Sequence, residues 1–259
     1  MITSSQRPAP AMPPTDGGLP HDATIERLPL ADGGVFEVAV LAGPTIDAAE
    51  HDAAAADLVG RAVTWAAATA GEPPLAVPLY GTHVVWSPRR GVAIGPADRL
   101  PAMRAALVEF ADREAELRDV ERRLGGLLEH IDGDAPLAFE FDEVALPRRR
   151  ELAARFREGV SLRRRLAMLA PAVQRPPPQP PTLAGQVGER LRDRTRLVER
   201  LEHAVEQAEL VDRVYAGCGE RAAEFVTSRR HATLEWVIIL LLAAEVVLIT
   251  VDLLATRGS

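Results

Sequence analysis

Apolar and polar residues alternate over Val35–Leu41 (VFEVAVL) as in a strand with one buried face. Thr45–Ala70 is alanine-rich and reads as a helix starting near Thr45 or Asp47. Leu75–Leu79, Thr82–Trp86 and Gly91–Ile94 read as short strands separated by Pro and Gly. A three- or four-stranded sheet covered by a helix accounts for this order. Residues 21–100 are therefore expected to form a small α/β head.

Beyond residue 100 the apolar spacing changes to that of helices. Met103, Phe110, Leu117, Leu124 and Ile131 recur every seventh residue, with Ala106, Val120 and Leu127 at the offset positions and Arg113 interrupting. Asp132-Gly133-Asp134 reads as the turn that ends this helix; it is too short for a calcium loop. A second helix is expected over residues 147–170, with Leu152, Phe156, Val160 and Leu166 as its apolar stripe. The break at residues 175–181 (RPPPQPP) cannot continue a helix and reads as extended. A third helix is expected from Thr182 towards Thr233. Leu191, Val198, Leu201 and Val205 lie on its coiled-coil seam, and Gly217 and Gly219 are points where it would kink or split.

The last apolar run differs from the others. Trp236–Leu254 (WVIILLLAAEVVLITVDLL) has sixteen apolar residues in nineteen, the exceptions being Glu245, Thr250 and Asp252. As a helix it is about 28 Å long, the thickness of the hydrocarbon layer. Its thirteen Val, Ile and Leu residues favour insertion, each by about 0.3–0.6 kcal/mol, against about 2.5–3.5 kcal/mol for one central charge. Val237–Ala244 is apolar on every face, without the polar stripe of a soluble core helix. Residues 234–254 are thus expected to be a single transmembrane tail anchor, with Trp236 at the water–lipid boundary. Arg229 and Arg230 precede the span and only Arg257 follows it, so the N-terminal bulk is expected in the cytoplasm. Glu245, at mid-span, reads as a contact between neighbouring anchor helices, a tolerated protonated acid, or an ion site.

The predicted architecture is α+β: a tail over residues 1–20, the head over 21–100, a helical and coiled-coil region over 101–233, and the anchor. The Pro-, Gly- and Ser-rich tail lacks the apolar core of a signal peptide and is expected to be disordered. A net charge of −7 argues against a generic nucleic-acid binder. All thirty basic residues are arginine. Nine arginines and two acids lie between Pro147 and Arg175, including the triplets Arg148, Arg149, Arg150 and Arg163, Arg164, Arg165. That face is a candidate surface for anionic lipid headgroups, or secondarily for RNA, although no interleaved aromatics support base stacking. The single cysteine, Cys218, excludes an intramolecular disulfide and reads as a small packing residue.

The segment Arg229–Val251 resembles the C-terminal end of the required-for-meiotic-nuclear-division family, through Arg230, Leu234-Glu235-Trp236, Val237–Leu242 and Glu245. The likeness extends in outline over residues 100–255, with Tyr80-Gly81 and Val84-Val85-Trp86 as the best fragment of the head. Family members usually carry an aromatic pair after the position of Pro171, where this chain has its Pro-rich break. The resemblance implies a membrane-anchored, oligomeric protein; one mitochondrial inner-membrane relative supports organellar translation. It implies no catalytic residues.

No phosphate loop, dinucleotide fingerprint, nucleophile elbow or metal-ligand spacing stands out, and no cofactor is expected. His21-Asp22 and His51-Asp52 are adjacent pairs, and neighbours on a helix do not face one another. Three functions remain open. The first is a membrane-anchored, self-associating scaffold. The second is an enzyme or ligand-binding module in the head, and the third an ion-linked oligomer built on Glu245.

Overall fold

The computed structural model of the chain describes residues 18–20, 23–43, 53–69, 71–175 and 181–257. Most of the expected tail, both His-Asp pairs, the start of the first helix and the centre of the Pro-rich break lie outside them.

The fold is α+β. Strands β1 (Thr24–Pro29), β2 (Val35–Ala42), β3 (Leu75–Leu79), β4 (Thr82–Trp86) and β5 (Arg90–Gly95) form one sheet in the order β1-β2-β5-β4-β3, with helix α1 (Ala53–Ala67) between β2 and β3. Only β2 and β5 pair in parallel. The sheet has five strands, not the three or four expected. The addition, β1, is an edge strand with no fully buried residue, so it lacks the apolar face that would announce it. It is joined to β2 by a turn in which Gly33 takes φ +79°, and Arg27 reaches across to Glu37 at 2.9 Å. The opposite edge strand, β3, holds Pro78, a position where a missing N–H is tolerated.

Alternation in the central strands divides the core. Ala39, Leu41, Val85, Val92 and Ile94 pack with Ala62, Trp65 and Ala66 of α1. The other face meets helix α2 (Leu100–Leu128), where Trp86 stands edge-on to Phe110 with ring centroids 5.2 Å apart. A Cβ on Gly91 would lie 2.8 Å from Phe36 and 3.4 Å from Leu107, so a bare backbone is required for this approach.

His83 Nδ1 and Trp86 Nε1 are buried without a hydrogen-bond partner. Burial pushes the His83 pKa below 6.5. The unfolded chain therefore binds a proton that the folded chain resists, so this contribution to stability is complete above 6.5 and lost as pH falls below it. His83→Gln is expected to flatten this component when urea midpoints are compared between about pH 8 and about pH 5. An equally steep fall in the variant would exclude it.

The chain divides into two compact units, one of Met1–Asp119 with Leu169–Arg200, the other of Val120–Met168 with Leu201–Ser259. The first contains the sheet, most of α2 and helix α5 (Leu183–Arg194), whose start is capped by Thr182 Oγ1 accepting from the Gly185 N–H at 3.1 Å. The second contains the short helix α3 (Ile131–Asp134), most of α4 (Arg149–Val173) and most of α6 (Leu197–Arg257).

The expected third helix is broken at Thr195-Arg196, where Arg196 takes φ 50°, and not at Gly217 or Gly219. Gly217 serves close packing instead: a Cβ there would come within 3.1 Å of Ala138 Cβ. Along α6 the buried positions are Leu197, Leu201, Ala204, Ala208, Val211, Tyr215, Cys218 and Ala222. Their spacing alternates between four and three, as in a helix packed along one seam.

Candidate membrane anchor and the polar clasp behind it

Helix α6 is 61 residues long and continues out of its packed seam into the apolar run. It is the one helix among the described residues long and apolar enough to cross a membrane, with a mean hydropathy of 2.3 over its best window, none of it buried within the chain. Every side chain from Leu234 to Ile249 is exposed, including Glu245. Trp236, Leu241 and Leu248 stand 65–69% exposed. Helical geometry satisfies the backbone internally, which a span in hydrocarbon requires. So contiguous an exposed apolar surface far exceeds what a soluble monomer presents.

Just before this run, α6 is met by the segment leading into α4. Arg229 pairs with Glu143 at 2.8 Å. Leu146, Phe225, Val226, Arg229, Arg230 and Leu234, with Thr233, line a groove of about 490 Å³. Helix α4 then runs antiparallel to α6: Gly159 packs on Val211, and Arg163 reaches Asp212 at 2.6 Å. This direction separates the two arginine triplets. Arg148–Arg150 lies at the end of the unit nearest the apolar run. Arg163–Arg165 lies fifteen residues along α4, about 22 Å away. Arg149, Arg150 and Arg164 are exposed, while Arg148 and Arg165 are half-buried.

A buried carboxylate ties these elements together. Asp134, 1% exposed, receives hydrogen bonds from Arg148, Arg155 and, at 3.1 Å, the Tyr215 hydroxyl. The Cys218 thiol donates to the Asp134 backbone carbonyl at 3.5 Å. Burial, reinforced by the Asp134 charge, pushes the Tyr215 pKa up to about 12. The same two causes raise that of Cys218. The phenol and thiol are thus held protonated as donors, an arrangement for holding α3, α4 and α6 in place and not for nucleophilic attack. From its sequence Asp134 reads only as part of a turn, whereas Ile131–Asp134 forms α3. The signal for its partners lay in spacing: Arg155 and Gly159 occupy the positions between the buried Leu152 and Leu162 on the α4 seam, and Tyr215 and Cys218 extend the α6 seam. Of the expected stripe on α4, Leu152 and Leu166 are buried, Phe156 is half-buried and Val160 is exposed.

Of the proposed seam residues, Leu191 and Leu201 are buried, whereas Val198 and Val205 sit half-buried beside the seam. In the first unit a second buried carboxylate, Glu114, accepts from Arg118 at 2.7 Å and Arg200 at 3.1 Å. A cavity of about 320 Å³ in that unit is lined by Phe110, Arg113, Arg175, Gly185 and Arg192, outside residues 35–100. Among the described residues, no group of three or more His, Cys, Asp or Glu is placed to hold a metal ion.

No family model matches the chain, and neither does any curated protein or solved structure.

Proposed function

We propose that this chain is a single-pass membrane protein whose folded bulk faces the cytoplasm, and that it acts as a self-associating scaffold at the bilayer instead of catalysing a reaction. The observation that carries this reading is the exposed apolar surface of α6 from Trp236 to Ile249, interrupted only by Glu245. Lipid is the solvent that removes its cost, because each of the apolar side chains gains on leaving water. Arg221, Arg229 and Arg230 precede the span and favour the cytoplasmic orientation. The likeness of Arg229–Val251 to the required-for-meiotic-nuclear-division family accords with an anchored oligomer.

Self-association is assigned to the span and not to the seam before it. Leu197, Leu201, Ala204 and Ala208 are already buried within the chain, so these seam positions are not open to a second copy. Glu245, by contrast, is exposed on α6 in the middle of the apolar run. A carboxyl there lowers its cost by finding a hydrogen-bonding partner on a neighbouring helix.

The chain has no lysine for amine-directed crosslinkers, so the test uses cysteine. In a Cys218→Ala background, Ala244→Cys is expected to form a disulfide-linked dimer on oxidation in vesicles. Glu245→Leu in the same protein is expected to lower the dimer yield severalfold. A monomer that never crosslinks from any position between 237 and 248 would refute the oligomer, and wild-type protein recovered in the supernatant of lysed cells would refute the anchor.

A further inference from the structure

The groove at the mouth of the span has a feature that an anchor alone does not need. Its walls are apolar on Leu146, Phe225, Val226 and Leu234, yet two arginines, Arg229 and Arg230, line the same 490 Å³. It lies immediately before Trp236, at the height where headgroups meet acyl chains. Arg149 and Arg150 are exposed at the start of α4, at the same end of the unit. On the adjoining segment Phe139 and Val144 are 77% and 82% exposed, apolar tips of the kind that enter a membrane interface. Glu143 holds Arg229 through a pair in which both side chains are largely exposed. Such a pair is weak and readily exchanged.

We propose that this groove binds one anionic phospholipid of the surrounding leaflet, its phosphate on Arg229 and Arg230 and its first acyl carbons along Phe225, Leu146 and Leu234. The inference rests on the membrane reading above. A planar guanidinium pair suits a phosphate, and the apolar wall continuing into the span suits the chain attached to it. A free phosphate would use the arginines but not the wall. The distant triplet plays no part. It lies about 22 Å along α4, more than twice the Debye length of about 8 Å at physiological salt. Its Arg163 is already paired with Asp212.

The test is fluorescence quenching of Trp236 in the full chain, reconstituted into phosphatidylcholine vesicles. Brominated phosphatidylglycerol or brominated phosphatidylcholine is added at the same mole fraction, and a Trp236→Phe protein gives the blank for the two buried tryptophans. Wild type is expected to prefer the anionic lipid by about fivefold for each arginine engaged. Arg229→Gln with Arg230→Gln is expected to abolish the preference. Thr233→Phe, which fills the groove without changing charge, is expected to reduce it. Arg163→Gln with Arg164→Gln is expected to leave it intact.

Equal quenching by the two lipids in wild type would overturn the proposal while leaving the anchor standing. A loss as large in the Arg163/Arg164 protein as in the Arg229/Arg230 protein would overturn it in favour of diffuse electrostatics. Displacement of the lipid by a single-stranded oligonucleotide would assign the arginines to nucleic acid. Quenching by neither lipid would show that Trp236 does not reach the bilayer, and the membrane reading would fall first.

Discussion

Asp134→Ala is expected to destabilise the second unit by about 3–5 kcal/mol, because it strands charged and polar partners in the interior. The Arg155 side chain is only 14% exposed, and the Tyr215 residue 1%. Neither can recover water in exchange for the lost carboxylate. Arg148, with a side chain 42% exposed, can, and its share of the loss should be small. Asp134→Asn keeps the shape and one acceptor but removes the charge, and should fall between alanine and wild type. Tyr215→Phe leaves Asp134 its two arginines and should cost about 1–2 kcal/mol. The decisive comparison is a cycle of Asp134→Ala, Arg155→Met and the pair together. Removing both groups leaves only the charges of Arg148 and Glu151 unpaired, whose side chains reach water, so the double variant should be more stable than the sum of the singles implies by about 1–3 kcal/mol. Urea unfolding of the full chain in detergent measures these values, and amide hydrogen exchange over residues 149–168 and 201–222 locates them. Additive losses, or an alanine variant within about 1 kcal/mol of wild type, would show that the clasp does not hold the helices.

How far the sequence discloses this fold follows from which signals each element leaves. β2, β4 and β5 are central and apolar, and their limits are legible almost to the residue. β1 is not, because an edge strand need not show a buried face. The seam of α2 is legible because Met103, Phe110, Leu117 and Leu124 are large and all are buried. Those of α4 and α6 are harder to see. Where Gly159 admits Val211, and Ala204, Ala208 and Cys218 are the buried positions, small residues fill the seam and larger ones such as Val198 stand beside it. Arg155 looks from spacing like a solvated charge, and only the return of the chain brings Asp134 opposite it. Two groups of arginines that look equivalent along α4 likewise acquire different surroundings from the direction of the α6 packing. The apolar run needs none of this, since its length and its lack of any polar face are local properties.

Val247→Arg is expected to release most of the protein from membranes, whereas Leu241→Arg should leave a clearly larger fraction integral. The thirteen Val, Ile and Leu residues of the span contribute about 4–8 kcal/mol on the insertion scale, and Glu245 already takes back about 2.5–3.5 kcal/mol. A second central charge removes about 3–4 kcal/mol more, counting the lost apolar side chain, which is a shift of more than a hundredfold in the insertion equilibrium. The two substitutions differ in what lies opposite. Position 241 is four residues before Glu245, one helical turn away on the same face, so the arginine can pair with that carboxylate. Position 247 is two residues beyond, on the far side of the helix, where the two charges are desolvated separately. Glu245→Leu should act in the opposite sense and make the segment resistant to carbonate extraction. The measurement is the pelleted fraction after high-pH washing of lysed cells. If Val247→Arg pellets as completely as wild type while Glu245→Leu changes nothing, the exposed face of α6 is covered by something other than lipid. The margin left by Glu245 is what makes the experiment sensitive: a span with no acid would tolerate one unpaired arginine, and this one should not.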